Sequence, residues 1–293
     1  MNNETAQRCW STHRQALALV TSSTDTPTFA GAVDWLNASE CQSRLDFLAW
    51  HGLSALAAEQ LKVAGMLAHV HAIVDQSLLA ARRTAAAMYM AQSSAWQEIS
   101  DALDREGIPY AVLKGAATRE EVYADPAVRS MGDIDVLVRV QDRGTVVTAL
   151  TKSGFRAPTA DESAHELTLS RGRVDVDLHW DILRPGRTRR PLVDSLLSRR
   201  VRGPKAWRLG DADTVFLMLV HPAFTKYVCS RNMGLNRVVD FLRFVRSREI
   251  DWDAVAERLA ECGLQTAAWC TLRWIGMLDP AVEVAHAVFI RRI

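Results

Sequence analysis

Asp133-Ile134-Asp135 and Asp175-Val176-Asp177-Leu178-His179 place carboxylates two residues apart in two otherwise apolar stretches. Successive side chains of a strand alternate faces, so Asp133, Asp135 and Leu137 point one way while Ile134, Val136 and Val138 point the other. The same reading gives the later stretch an apolar face of Val174, Val176, Leu178 and Trp180 and a polar face of Asp175, Asp177 and His179. Carboxylates spaced roughly 6 to 7 Å along a strand can reach a common pair of cations. Holding them on one small sheet is costly unless the charges are solvated, paired or metal-bound. A divalent metal accounts for them with the fewest assumptions, and hard oxygen ligands select Mg2+ or Mn2+ over zinc. Two such ions about 3.5 to 4 Å apart can clamp the attacking and leaving oxygens of an in-line phosphoryl displacement. The solvated face of a half-exposed strand is the alternative for either pair taken alone.

Lys114-Gly115-Ala116 lies eighteen residues before Asp133, between a predicted strand and a predicted helix. Glycine there permits close backbone approach, and the amides of a helix N-terminus can receive phosphate oxygens. An ordinary turn is the competing reading.

The elements that must position these residues follow from periodicity. From residue 38 to 106 apolar residues recur at helical spacing, alanine is abundant and no proline interrupts. The stretch 75–105 reads as one long helix, stopped by Gly107 and the Ile108-Pro109 step. Tyr110 to Leu113 reads as a buried strand, 116–123 as a short helix, 133–138 as an alternating strand, and 142–153 as a helix closed by Gly154. Residues 166–170 and 173–180 read as two strands joined at Arg171-Gly172. Helical spacing returns over 214–227, 235–246 and three shorter segments. The expected fold class is therefore α+β, a small mixed β-sheet core (107–210) flanked by an N-terminal (1–106) and a C-terminal (211–293) helical region.

The 293 residues are 48% hydrophobic and 24% charged, with a formal net charge of +1, which argues against a wholesale nucleic-acid footprint. Locally, residues 184–208 hold eight arginines and one lysine against the single acid Asp194. That stretch reads as a solvated loop, a triphosphate contact or a site for an anionic acceptor. The five cysteines form no CxxC pair, so neither a disulfide framework nor a zinc knuckle is expected. No signal-like N-terminus and no run near 18 apolar residues is present, so the expectation is a cytoplasmic protein without a membrane partner.

A glycine turn opening a helix, an acid-x-acid strand and a third acid on a later strand resemble the nucleotidyltransferase superfamily related to DNA polymerase β. More closely, the chain resembles an uncharacterised bacterial nucleotidyltransferase family over roughly residues 49–253. The residues that carry this are Leu113-Lys114-Gly115, the run from Tyr123 through Asp125, Pro126, Arg129 and Met131 to Asp133-Ile134-Asp135, and Val176-Asp177-Leu178-His179-Trp180. His221 and Arg237-Val238-Val239-Asp240 are similar to that family's helical tail. The resemblance implies that Asp133 and Asp135 bind both metals. It also implies that Asp177 completes the second metal site and helps deprotonate an acceptor hydroxyl, with Gly115 against the triphosphate of an NTP. Ala116 stands where the wider superfamily carries serine; backbone amides, Lys114 or Arg129 are candidates to take over its phosphate contact.

Asp175 is the rival to Asp177 as third ligand, and Asp177 is preferred. His179 reads as a ligand or proton carrier, or as a hydrogen-bonded structural residue beside Trp180. Arg129 reads as a bidentate phosphate donor or as the partner of a nearby acid; Lys114 has the same two readings. His221 and Asp240 read as packing or base-contact residues. The leading functional expectation is transfer of NMP from an NTP to a small-molecule, peptide or RNA acceptor. The alternatives are a catalytically silent nucleotide-binding scaffold of the same fold and a toxin-like transferase that modifies RNA.

Overall fold

A computed structural model describes residues 3–158, 165–225 and 234–293, with side chains described outside residues 3–9, 225 and 292. The chain starts with four helices, α1 (Asn3–Thr21), α2 (Pro27–Asn37), α3 (Cys41–Trp50) and α4 (Ser54–Val63). The first two precede the stretch whose spacing predicted helix. Thr26 caps α2 by accepting from the Phe29 amide, and Pro27 supplies a pre-set first-turn φ. The long helix α5 (Ala72–Arg105) begins three residues before its expected start. Its buried positions Val74, Leu78, Ala85, Gln92, Trp96, Ile99 and Leu103 recur at helical spacing. They split between two cores: Val74 and Leu78 join the helical one, Trp96, Ile99 and Leu103 the α/β one.

The α/β unit runs β1 (Tyr110–Val112), α6 (Lys114–Val122), β2 (Asp133–Val138), α7 (Arg143–Lys152), β3 (Glu166–Arg171) and β4 (Val174–His179). Gly172, at φ +62°, makes the tight turn between β3 and β4, as the Arg171-Gly172 pair predicted. The predicted loop of the arginine-rich stretch is instead structured: α8 (Val193–Ser198), β5 (Val201–Arg202) and β6 (Trp207–Arg208) fall within it. The six strands form one mixed sheet in the order β3-β4-β2-β1-β6-β5. β2 runs parallel to β4 and antiparallel to β1, while β1 runs parallel to β6.

α9 (Asp211–Thr225) and α10 (Leu235–Arg246) follow. The expected extension of α9 to residue 227 lies outside the described residues. α11 (Trp252–Cys262), α12 (Gln265–Leu278), α13 (Pro280–Ala285) and α14 (Ala287–Arg292) complete the chain, four helices where three segments were expected. Asp251 and Asp279 cap α11 and α13.

Alternation sorts the sheet as the sequence predicted. Ile134, Val136, Val138, Val174, Val176 and Leu178 pack with α5 and α7 in one core. Ala111 and Leu137, on the opposite face, join a second core that unites α1 to α4 with α9 to α12. The N- and C-terminal helical regions thus bury apolar surface against each other, tied also by Arg14 donating to the Met277 carbonyl and Arg243 to that of Val20. No described helix is long and apolar enough to cross a membrane.

Candidate active site

The parallel β2–β4 register sets Asp133 opposite Asp175 and Asp135 opposite Asp177. Asp135, only 5% exposed, accepts from Lys114 Nζ at 2.5 Å and contacts His179 Nε2 at 2.8 Å, both through Oδ1. Thr168 Oγ1 donates to Asp177 Oδ1 at 2.6 Å, and Ser170 Oγ to Asp175 Oδ1 at 2.6 Å. Ligand atoms of Asp135, Asp177 and His179 all lie within 4.8 Å of one another. Of the two rival aspartates, Asp177 is the one the register brings to this cluster. His179 joins it through Asp135, and its Nδ1 lies 3.3 Å from Glu166.

Charge crowding explains the titration of the pair on β2. Asp133 sits at the open end of the strand, yet partial removal from water and the charges of Asp135 and Asp177 push it up to about 6. Burial alone would raise Asp135 too, but the Lys114 ammonium and the His179 hydrogen bond hold it well below the usual carboxylate range. Asp135, Asp177 and His179 are the ligand-bearing side chains that come together here, and Asp133 lies outside that group; two carboxylates and an imidazole could hold a divalent cation.

Lys114 reaches Asp135 because the chain turns sharply between β1 and α6. It adopts φ +51°, the one positive φ outside glycine among the described residues, a conformation that costs a side-chain-bearing residue free energy. The Leu113 amide donates to the Asp135 carbonyl and fixes the turn to β2. Gly115 follows, and a Cβ there would lie 3.0 Å from a guanidinium nitrogen of Arg129. A side chain at this position would therefore crowd the Arg129 guanidinium.

Lys114, Gly115, Arg129, Asp133 and Asp135 line one cavity of about 230 Å³, walled on its far side by α9 and α10. Ala116, expected among the nucleotide contacts, turns its side chain into the α/β core and is not part of that wall. Thr118, Asn236 and Arg237 line the cavity without having been given a role from sequence. His221 lines it as well, and burial and the Lys114 charge push its pKa well below the ordinary value.

Arg129 is 7% exposed, and its partner is Asp240 rather than Asp133 or Asp125. Nε and one terminal nitrogen bridge both Asp240 oxygens at 2.6 to 3.1 Å, and the other terminal nitrogen donates to the Ser130 carbonyl. Tyr123 donates to Asp240 at 2.7 Å. Asp125 instead pairs with Arg82 and caps the turn at Ala127.

No arginine of the 184–208 stretch lines this cavity. Arg199 pairs with Asp213, Arg208 with Glu121 and Asp211, and Lys205 with Glu120. Much of that local charge therefore neutralises acids from other parts of the chain.

A family model described as uncharacterised nucleotidyltransferase matches residues 37–278. No curated protein matches the chain. Among solved structures, the antibiotic-resistance factor ANT(2'')-Ia in solution is similar at 12% identity, covering 68% of this chain and 95% of that one, with a TM-score of 0.40. ANT(2'')-Ia in complex with adenylyl-2''-tobramycin is similar at 13% identity, covering 69% and 98%, with a TM-score of 0.41. An antigenic nucleotidyltransferase-like protein from Paracoccidioides brasiliensis is similar at 20% identity, covering 69% and 92%, with a TM-score of 0.46.

Proposed function

This chain belongs to the family of uncharacterised nucleotidyltransferases, and on that premise we propose that it transfers NMP from an NTP to an acceptor hydroxyl in the cavity between β2 and α10. The observation that carries this reading is the register pairing of Asp135 with Asp177 beside the Lys114-Gly115 turn. Asp133, Asp135 and Asp177 are the proposed ligands of two Mg2+ or Mn2+ ions, which when bound would neutralise the triphosphate and lower the pKa of the acceptor hydroxyl.

The chain's own groups do the rest. Lys114 holds Asp135 in its strand position, His179 fixes the same carboxylate from β4, and Gly115 with the first turn of α6 offers backbone approach to phosphate oxygens. The acceptor oxygen forms a bond to the α-phosphorus as the α–β anhydride bond breaks, the acceptor proton passes to Asp177, and pyrophosphate leaves. Arg129 acts here through its packing over Gly115 and its hold on α10 through Asp240.

A cavity of this size, lined on one side by α9 and α10, favours a small molecule or the end of a peptide as acceptor. The internal pairing of the arginine-rich stretch removes the main sequence argument for RNA. Incubation of the protein with each labelled NTP and Mg2+, followed by mass spectrometry of candidate acceptors and of the protein itself, tests the proposal. NMP-modified product with release of pyrophosphate is the expected result. Nucleotide binding without turnover of any NTP, across a panel of sugar, peptide and RNA acceptors, would instead make the chain a silent nucleotide-binding scaffold.

A further inference from the structure

Arg237 and Asp240 stand three residues apart on α10, the spacing at which a helix ordinarily pairs a cation with an acid. Here the pair does not form. Both Asp240 oxygens are taken by Arg129, reaching across from the segment before β2, and Tyr123 adds a further hydrogen bond. The other buried acid on the cavity wall, Asp135, is held by Lys114 and His179. Arg237 lines the same cavity, and among the described residues its side chain has no hydrogen-bond partner and no carboxylate within 4.0 Å.

A guanidinium without a direct partner in a partly enclosed site is costly, because it has lost part of its hydration and gained no ion pair in return. Burial and the neighbouring charge of Arg129 make its cation harder to hold, and they outweigh the opposing pull of Asp135, Asp133 and Asp240, none of which comes within ion-pair distance. An anionic ligand would supply the direct partner that this side chain lacks. A planar fork with five donors matches phosphoryl oxygens, which it can grip two at a time. Of the cavity's three cations, Lys114 and Arg129 are already engaged, which leaves Arg237 as the one available to an incoming anion.

Resting on the nucleotidyl-transfer reading above, we propose that Arg237 is the receptor for the non-transferred phosphates of the donor, and so grips the pyrophosphate that leaves. Its place on α10 puts it in the same cavity as Asp133 and Asp135, near enough to sense both of their charges. Arg129, which the sequence offered for this contact, frees Arg237 for it by occupying Asp240.

Calorimetric titration of the full chain with inorganic pyrophosphate, the four NTPs and the four NMPs, each in Mg2+, tests this, with melting temperatures measured in parallel. Arg237→Gln is expected to weaken binding of pyrophosphate and of NTP about tenfold to a hundredfold, the loss of a charge-assisted bidentate contact, and to change NMP affinity less than about twofold on the same scale. Arg237→Lys should recover part of the loss. Melting temperature should hold or rise, because no native partner is lost. Unchanged pyrophosphate affinity in Arg237→Gln, an equal loss for NMP, or a melting-temperature drop matching that of Asp240→Asn would each overturn the proposal. A wild-type protein that binds neither NTP nor pyrophosphate would overturn the transfer reading along with it, whereas normal wild-type binding with an indifferent Arg237→Gln would overturn this proposal alone.

Discussion

The Nζ atom of Lys114 lies 2.5 Å from Oδ1 of Asp135, so a backbone turn at positive φ delivers an ammonium to the buried carboxylate of the acid-x-acid strand. That ammonium meets the carboxylate where a metal cation is proposed to bind. Lys114→Met should therefore cost about 1 to 3 kcal/mol of stability without metal, since a buried charge loses one of its partners. Added Mg2+ should raise the melting temperature of the variant more than that of the wild type. Equal Mg2+-induced shifts in the two proteins would show that the lysine does not share a carboxylate with the metal.

Asp133 carries the opposite signature. Its folded-state pKa, about 6, lies above the ordinary 3.8, so the ionised form is penalised in the fold. The penalty is absent below about pH 4, develops between pH 4 and 6 and is full above 6. Asp133→Asn is expected to be more stable than wild type at pH 8, by about 1 kcal/mol once screening at the solvent-facing strand end is allowed for. The gap should close by pH 4. Urea denaturation across that range in metal-free buffer measures it, and a gap independent of pH would refute the crowding argument. The same variant should lose NTP turnover.

Register separates the two aspartates of β4. Asp177 stands opposite Asp135 and Asp175 opposite Asp133, each with a hydroxyl donor from β3. Asp177→Asn should reduce the rate of NMP transfer at least about a hundredfold, the scale of losing a key electrostatic group. Asp175→Asn should cost less than about tenfold by the same measure. Steady-state assays on the two purified variants decide between them, and the reverse ranking would move the proposed centre one register step along the sheet.

The strands of the site were legible in sequence because their alternation is strict: Ile134, Val136 and Val138 face one core while Asp133 and Asp135 face away from it. Gly172 marked the β3–β4 turn for the same local reason. What sequence could not supply was pairing at long range. Arg129 and Asp240 are 111 positions apart, and nothing local distinguishes a guanidinium that meets Asp240 from one that meets phosphate. Arg237 was visible only as part of a helical tail, since its lack of a partner follows from where Arg129 goes. The arginine-rich stretch misled for a related reason: its cations pair with Glu120, Glu121, Asp211 and Asp213, which lie outside the window over which charge was counted. Helix α2 carries cap and apolar signals at Thr26, Phe29, Val33 and Leu36 that lay upstream of the stretch read as helical.

The Arg129–Asp240 bridge gives a test in which stability and substrate affinity part company. Both side chains are buried, the contact is bidentate, and Asp240 outweighs burial to hold the Arg129 pKa above its ordinary value. Lysine keeps the charge but cannot bridge both carboxylate oxygens. Arg129→Lys should thus lower stability by about 1 to 3 kcal/mol, and Asp240→Asn by about 3 to 5 kcal/mol, because the latter leaves a buried guanidinium without its counter-charge. If Arg129 acts only through packing over Gly115 and its hold on α10, the KM for NTP in Arg129→Lys should stay within about twofold of wild type at a temperature where the variant is folded. Gly115→Ala should mimic the variant in stability, since its new methyl group would sit 3.0 Å from the guanidinium. Thermal unfolding and NTP saturation curves on the same three preparations separate the roles: a KM raised tenfold in Arg129→Lys with unchanged melting temperature would return Arg129 to the phosphate and take the structural role from the bridge.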